Sequence, residues 1–224
     1  MRQERWRKMY YPYVQEINRQ ERRVMTVTGV GKLSVEPNIV RIQLEVITEN
    51  NELRQAQQEN SNIMNRVIGS LLELGIEREN IKTTSYNIFP QYDYVEGKQL
   101  FRGYKVTNAI TITTTNIDQA GSIIDVAVQN GVNSVSNIKF DVENEQLEYR
   151  KALSLALRDA LAKAQSMAKT MQLQLDPHPI KISEVANEQP VAYPIFSTME
   201  RGASTPIEQG QITIKAVVNV QFQY

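Results

Sequence analysis

The chain has no cysteine, and that one absence removes disulfides, thiolate metal sites and thiol chemistry together. Histidine is almost as scarce. His178 stands alone between Pro177 and Pro179, so a metal centre would need carboxylates or backbone oxygens for its other ligands, and any serine nucleophile would depend on that same imidazole. A turn residue at a helix end is the expectation for it. No G-x-S-x-G occurs, and the spacing of the acids singles out no carboxylate pair. No apolar run approaches the length of a bilayer span. The N-terminus carries charges and tyrosines where a signal peptide needs a continuous apolar stretch, and on that ground the protein is expected in the cytoplasm. Excess charge of one sign is missing too: 25 basic residues balance 25 acidic ones, which offers no general attraction to a polyanion or a membrane surface.

What charge asymmetry exists lies at the start. Residues 1–23 hold seven Lys or Arg against three Glu, leaving 18 against 22 in the remainder. With Trp6, Tyr10, Tyr11 and Tyr13 and no sustained period, this stretch is expected to be a basic aromatic arm, a solvated extension or a tether. The rest, 24–224, is expected to form one α+β domain.

The clearest periodicity runs from Glu145 to Gln172. Tyr149, Leu153, Ala156, Leu157, Ala160, Leu161, Ala164, Met167, Ala168 and Met171 recur at steps of three and four, which predicts a long helix with one apolar stripe. The stripe is rich in alanine, so the helix axis is expected to lie close to a flat partner such as a sheet. It lacks the large a and d residues of a two-stranded coil.

Strand alternation precedes it. Val27, Gly29, Gly31, Leu33 and Val35 share one face; after Glu36, Pro37 and Asn38 the next run turns Val40, Ile42, Leu44 and Val46 inward, and the two are expected to pair as a hairpin. Helical spacing from about 52 to 74 ends at Gly75. A strand from Ile81 towards Tyr94, a turn at 95–99 and a strand carrying Tyr104, Val106, Asn108, Ile110 and Ile112 on one face follow. Asn116 and Gln119 have the spacing of a capping box before a second helix, which stops at Asn130 and Gly131. Ile138, Phe140 and Val142 then face inward along another strand. The order over about 38–142 is βαββαβ, a ferredoxin-like unit with a mostly antiparallel sheet. The long helix of about 145–172 and C-terminal strands over about 180–224 extend it, with 189–209 read as a long loop.

Motif-like stretches carry little chemistry. Thr28-Gly29-Val30-Gly31-Lys32-Leu33 fails the spacing of a phosphate loop and of a dinucleotide fingerprint; strand glycines that admit a close neighbour account for it. Arg102-Gly103-Tyr104 matches the start of an RNA-recognition strand, but the match lapses after it, and Tyr104 shares the face of Val106, Ile110 and Ile112 needed for the core. The aromatics Tyr86, Phe89, Tyr92, Tyr94, Phe101 and Tyr104 gather around one predicted hairpin. Core packing or a subunit interface explains them, and Phe89, Tyr92, Tyr94, Phe101 and Tyr104 are the candidate partner surface.

Over roughly 24–224 the chain resembles the SIMPL-domain family. The resemblance is carried by Val27-Thr28-Gly29-Val30-Gly31 with Pro37, by Gly75-Ile76 followed by Ile81-Lys82-Thr83, and by Pro90 with Tyr92. Gly103-Tyr104 with Asn108, Gly131-Val132-Asn133 leading to Phe140, Asp159-Ala160 with Lys163-Ala164 and Ala168, and Pro206-Ile207-Glu208 with Gly210 complete it. The resemblance implies an α+β fold, assembly into rings or channel-like oligomers in some members, and an association with oxidative-stress tolerance. It brings no catalytic residue. The resemblance implies an export signal, which the charged first residues lead one not to expect here, and Pro37-Asn38 stands where a proline-aspartate pair is common.

The expected function is therefore a non-enzymatic, self-associating scaffold or binding protein with no cofactor and no metal. Its expected partners are further copies of itself or another protein. A nucleic-acid-binding module using the open sheet face and the basic arm is the second reading, and a carboxylate-dependent hydrolase the third.

Overall fold

A computed structural model describes residues 23–185, 191–193 and 205–224; the arm at 1–22 lies outside the described residues. The fold is α+β and contains two antiparallel sheets, each with its own helical layer and its own core. The first sheet is made of β2 (Ile39–Asn50), β3 (Ile81–Val95), β4 (Lys98–Thr114) and β5 (Ser134–Asp141), in the order β3-β4-β2-β5. With α1 (Leu53–Glu73) and α2 (Ala120–Gln129) connecting them, this is the ferredoxin-like arrangement that the βαββαβ order implies.

Alternation along β2 puts Val40, Ile42, Leu44 and Val46 on the helix-facing side, all fully buried, against Ile110 and Ile112 of β4 and Val67 and Leu71 of α1. Each of the larger residues contributes roughly 1.5–3 kcal/mol through burial. The helical stripe on α1 also contains a polar residue that periodicity alone passes over. Asn60 is completely buried and its Nδ2 donates to the carbonyls of Val46 (2.8 Å) and Val106 (3.3 Å), seating the helix on β2 and β4. Gly75 stops the helix at φ 93°, in the left-handed region where a Cβ is costly.

The second sheet pairs β1 (Val24–Val35) with β8 (Gln211–Gln223), and β8 with β6 (Pro179–Glu184) and β7 (Val191–Tyr193). The 189–209 stretch expected to be a loop thus contains a short strand. Helix α3 (Glu145–Thr170) packs on β1 and β8. Its buried line is Ala152, Ala156, Ala160, Ala164 and Ala168, with Leu153, Leu157 and Leu161 half-buried alongside. Met167 and Met171, expected on the stripe, are exposed. Each lies three residues beyond an alanine of that line, Ala164 or Ala168, about 60° short of a full turn, which puts both positions off the sheet.

The expected hairpin between 24–35 and 39–50 does not form: β1 and β2 are consecutive in sequence and belong to different sheets. One-sided alternation identifies a half-buried strand but carries no information about its neighbour. The connection decides. Pro37 is buried, and beyond it Asn38 donates its backbone N–H to the Asp141 carbonyl (3.1 Å) while its side chain accepts from the Glu143 N–H (2.8 Å). The chain is thereby fastened to the end of β5 instead of folding back on β1. The Asn116–Gln119 capping box is also absent. A 3₁₀ turn at Ile117–Gln119 intervenes before α2, and the Gln119 amide donates instead to the Leu74 carbonyl at the end of α1 (3.2 Å).

Candidate functional site

Beyond the last β2 pair, Asn50 with Tyr104, the strands β3 and β4 continue without β2. They form a two-stranded ribbon closed by Glu96 and Gly97, both at positive φ (49° and 76°), between the paired Val95 and Lys98. Two left-handed residues match the twist of a tight hairpin. An isolated ribbon buries little, and this one is richly aromatic.

Register determines which rings meet. Ile88 faces the buried Val106, so Pro90 and Tyr104, the next pair of that parity, also lie on the helix-facing side. Between Gln91 and Tyr92 the ladder slips: Gly103 lies opposite Gln91 and Phe101 opposite Tyr92, making Arg102 an extra residue on β4. This bulge brings Phe101 and Tyr104, three positions apart, onto one face. Their centroids are 5.2 Å apart at 68°, and Phe101 meets Tyr92 at 5.8 Å and 71°, both edge-to-face. Tyr92, Phe101 and Tyr104 of the candidate surface are therefore brought together. Tyr94 shares their face nearer the tip, while Phe89, opposite Lys105, points to the other side.

Core packing does not explain these residues. Tyr86, Phe89, Tyr92 and Phe101 are 44–56% exposed and Tyr94 75%; only Tyr104 is half-buried. The helix-side placement of Tyr104 also leaves the Arg102-Gly103-Tyr104 match without a stacking ring on the open face, where base recognition on such a sheet takes place.

Where β2 stops, a notch of about 200 Å³ opens at the base of the ribbon. Glu49, Asn50 and Asn51 line one side, Gln91 and Arg102 the other, with Gly103 and Tyr104 completing it. Gly103 is at φ 143°, and a Cβ on it would sit 2.7 Å from the Asn50 carbonyl oxygen, so this glycine is needed for the close approach of β4 to the 50–51 turn. The Arg102 guanidinium lies 3.6 Å from Glu49 and 3.9 Å from Asp93. Sequence periodicity had no means of finding the notch, because it depends on where one strand ends beside another.

Elsewhere the charged groups serve structure. Asp141 is held below its ordinary value: burial pushes the carboxyl up, and Arg41, the Val142 N–H (2.9 Å) and Lys139 (3.7 Å) outweigh it. The Tyr149 phenol is pushed up, first by its hydrogen bond to Glu184 across from β6 (2.5 Å) and then by burial. His178 is exposed and contacts Asp176 (2.9 Å), a turn residue as its prolines suggest. No cluster of three or more His, Asp or Glu able to hold a metal occurs among the described residues. No described helix is long and apolar enough to cross a membrane.

The chain is 28% identical to the 26 kDa periplasmic immunogenic protein of Brucella melitensis over 210 residues, 89% of this chain and 84% of the relative. It is 26% identical to the uncharacterized protein YggE of Escherichia coli (strain K12) over 206 residues, 89% and 82%, and 22% identical to YggE of Edwardsiella ictaluri over 167 residues, 74% and 70%. The periplasmic naming of the Brucella proteins overturns the cytoplasmic expectation, which rested on the composition of the first residues alone. Residues 25–222, from the second residue of β1 almost to the end of β8, match the model of the SIMPL family, described as protein of unknown function (DUF541), and to that family the chain belongs.

Proposed function

We propose that this SIMPL protein is a non-enzymatic, self-associating scaffold or binding protein whose β3–β4 ribbon is the docking element. The observation that carries it is the exposed aromatic face of Tyr92, Tyr94 and Phe101 on a ribbon that projects past its own sheet. Aromatic side chains offer large contact areas at low entropic cost, and they are enriched in interface cores. The strand β3 is also an outer edge of its sheet, where unpaired backbone groups favour strand addition.

The open face of the first sheet offers no comparable aromatic platform for bases, and in the notch Glu49 and Asp93 both turn to Arg102, an arrangement suited to ion pairing and not to paired acid–base work. By likeness to the Brucella relative we place the protein outside the cytoplasm. Light scattering on a sizing column tests the assembly reading: a mass of several chains is expected, and a strict monomer across the micromolar range would end it. Cell fractionation tests the location. A deletion strain that survives peroxide as well as its parent would remove the stress association that the family resemblance implies.

A further inference from the structure

Beyond self-association, the notch at the base of the ribbon has the chemistry of a small-ligand site. Its side chains are mostly polar and planar, and its amides are largely uncommitted. The Asn51 and Gln91 amides make no side-chain hydrogen bond among the described residues. Asn50 uses its Oδ1 to accept from the Glu52 N–H (2.9 Å), which leaves its Nδ2 donors available. Arg102 sits beyond hydrogen-bond distance of both its acidic neighbours, so its donors are unused too.

Charge narrows the ligand. An anion drawn to Arg102 meets the carboxylates of Glu49 and Asp93, and a cation drawn to those carboxylates meets the guanidinium. A neutral ligand with many hydroxyls meets neither penalty. Each amide presents a donor beside an acceptor, and the guanidinium a fork of donors, spacings that suit adjacent hydroxyls on a ring. Tyr104 adds an apolar surface for the C–H side of such a ring, and its edge-to-face contact with Phe101 (5.2 Å) fixes its orientation.

We propose that the notch lined by Asn51, Gln91, Arg102 and Tyr104 binds a neutral carbohydrate through a single sugar ring. The half-open shape and small volume give weak, hydrogen-bond-dominated binding to one residue of a longer glycan, so the probes are oligosaccharides. Saturation-transfer NMR on the full chain, with cellotriose, maltotriose and N-acetylated chitotriose in turn, is expected to show transfer to at least one of them. Asn51→Ala and Gln91→Ala should each weaken that binding by about fivefold, and both should fold normally because neither side chain bonds within the protein. Val128→Ser, at an exposed position on α2 away from the ribbon, should leave sugar binding unchanged. Absence of transfer for all three sugars, or transfer that survives in both amide variants, would overturn the proposal. The mass of each sample, measured in parallel, reports self-association separately, so either idea can fail without the other.

Discussion

The carbonyl oxygen of Ala156 lies 2.0 Å from where a side chain on Gly29 would begin. Two residues along, Gly31 stands in the same relation to the Ala152 carbonyl, also 2.0 Å. The alanine line of α3 and the glycines of β1 are thus two halves of one contact, in which backbone packs on backbone. Gly29→Ala places a methyl group against main-chain atoms that no rotamer change can move aside. A loss of about 3 kcal/mol or more is expected, at or above the top of the usual overpacking range. Denaturant unfolding of Gly29→Ala and Gly31→Ala measures it, and a change under 1 kcal/mol for both would contradict the packing.

Gly69 supplies the opposite case. It lies within α1, and a Cβ there would meet nothing within 4 Å. Helix propensity alone then sets the sign. Gly69→Ala is expected to stabilise the protein by roughly 0.5–1 kcal/mol, read as a raised midpoint in the same titration.

Those glycines mark how far sequence reasoning reaches. The alanine stripe, the close-approach role of Gly29 and Gly31, the left-handed stop at Gly75 and the core parity of Val106, Ile110 and Ile112 all follow from local chemistry, and local chemistry is what periodicity records. Strand partners do not follow from it. The β1 and β2 runs look like a hairpin because each alternates, while the deciding contacts, Asn38 with Asp141 and Glu143, join residues over a hundred positions apart. The site was legible only as a list of aromatics. Which rings meet depends on the bulge at Arg102, and the notch depends on β2 stopping at Asn50; neither leaves a periodic trace.

Asp159 and Lys163 reach round β1 to its open edge. The Val30 N–H donates to Asp159 (2.8 Å), and Lys163 donates to the Thr28 carbonyl (3.0 Å) and to Asp159 itself (2.7 Å). An edge strand is protected when its outward groups are occupied in this way. The hydrogen bond from Lys163, then that from Val30, hold the Asp159 carboxyl below its ordinary 3.8. A depressed folded value contributes stability that is complete above the unfolded value and is lost as pH falls through the folded one. Asp159→Asn should therefore lose about 0.5–1 kcal/mol at neutral pH, a figure kept small because the side chain is 34% exposed. It should also lack this part of the acid-induced loss that the parent shows below pH 3.8. Asp159→Leu, which leaves the Val30 N–H without its acceptor, uncovers the edge, and its light scattering should rise with concentration more steeply than for the parent.

Thr205 ties the approach to β8 onto α2. Its N–H and hydroxyl donate to the Asp125 carboxylate (3.1 and 2.5 Å), and Ile207 packs against the core of the first sheet although β8 belongs to the second. These bonds hold Asp125 below its ordinary value, the hydroxyl contributing most. Thr205→Val removes the side-chain bond and keeps the shape. Faster amide exchange is expected through 205–210 and around Asp125, with exchange in β2 unchanged. Uniform exchange rates across variant and parent would show that the tie is incidental.

Tyr92 and Phe101 are half-exposed partners, and neither ring belongs to a core cluster among the described residues. If assembly runs through this face, removing the rings should separate association from folding. Tyr92→Ser and Phe101→Ser are each expected to lower the mass found by light scattering. Unfolding free energy, compared at a concentration where both parent and variant are dissociated, should shift by no more than about 0.5 kcal/mol, as for other surface substitutions. Val128→Ser serves as the control: that side chain is 50% exposed on α2, away from the ribbon, and its loss should leave the mass unchanged. The pair of results discriminates because a general loss of exposed apolar surface would act through all three substitutions, whereas a docking ribbon responds only to its own rings.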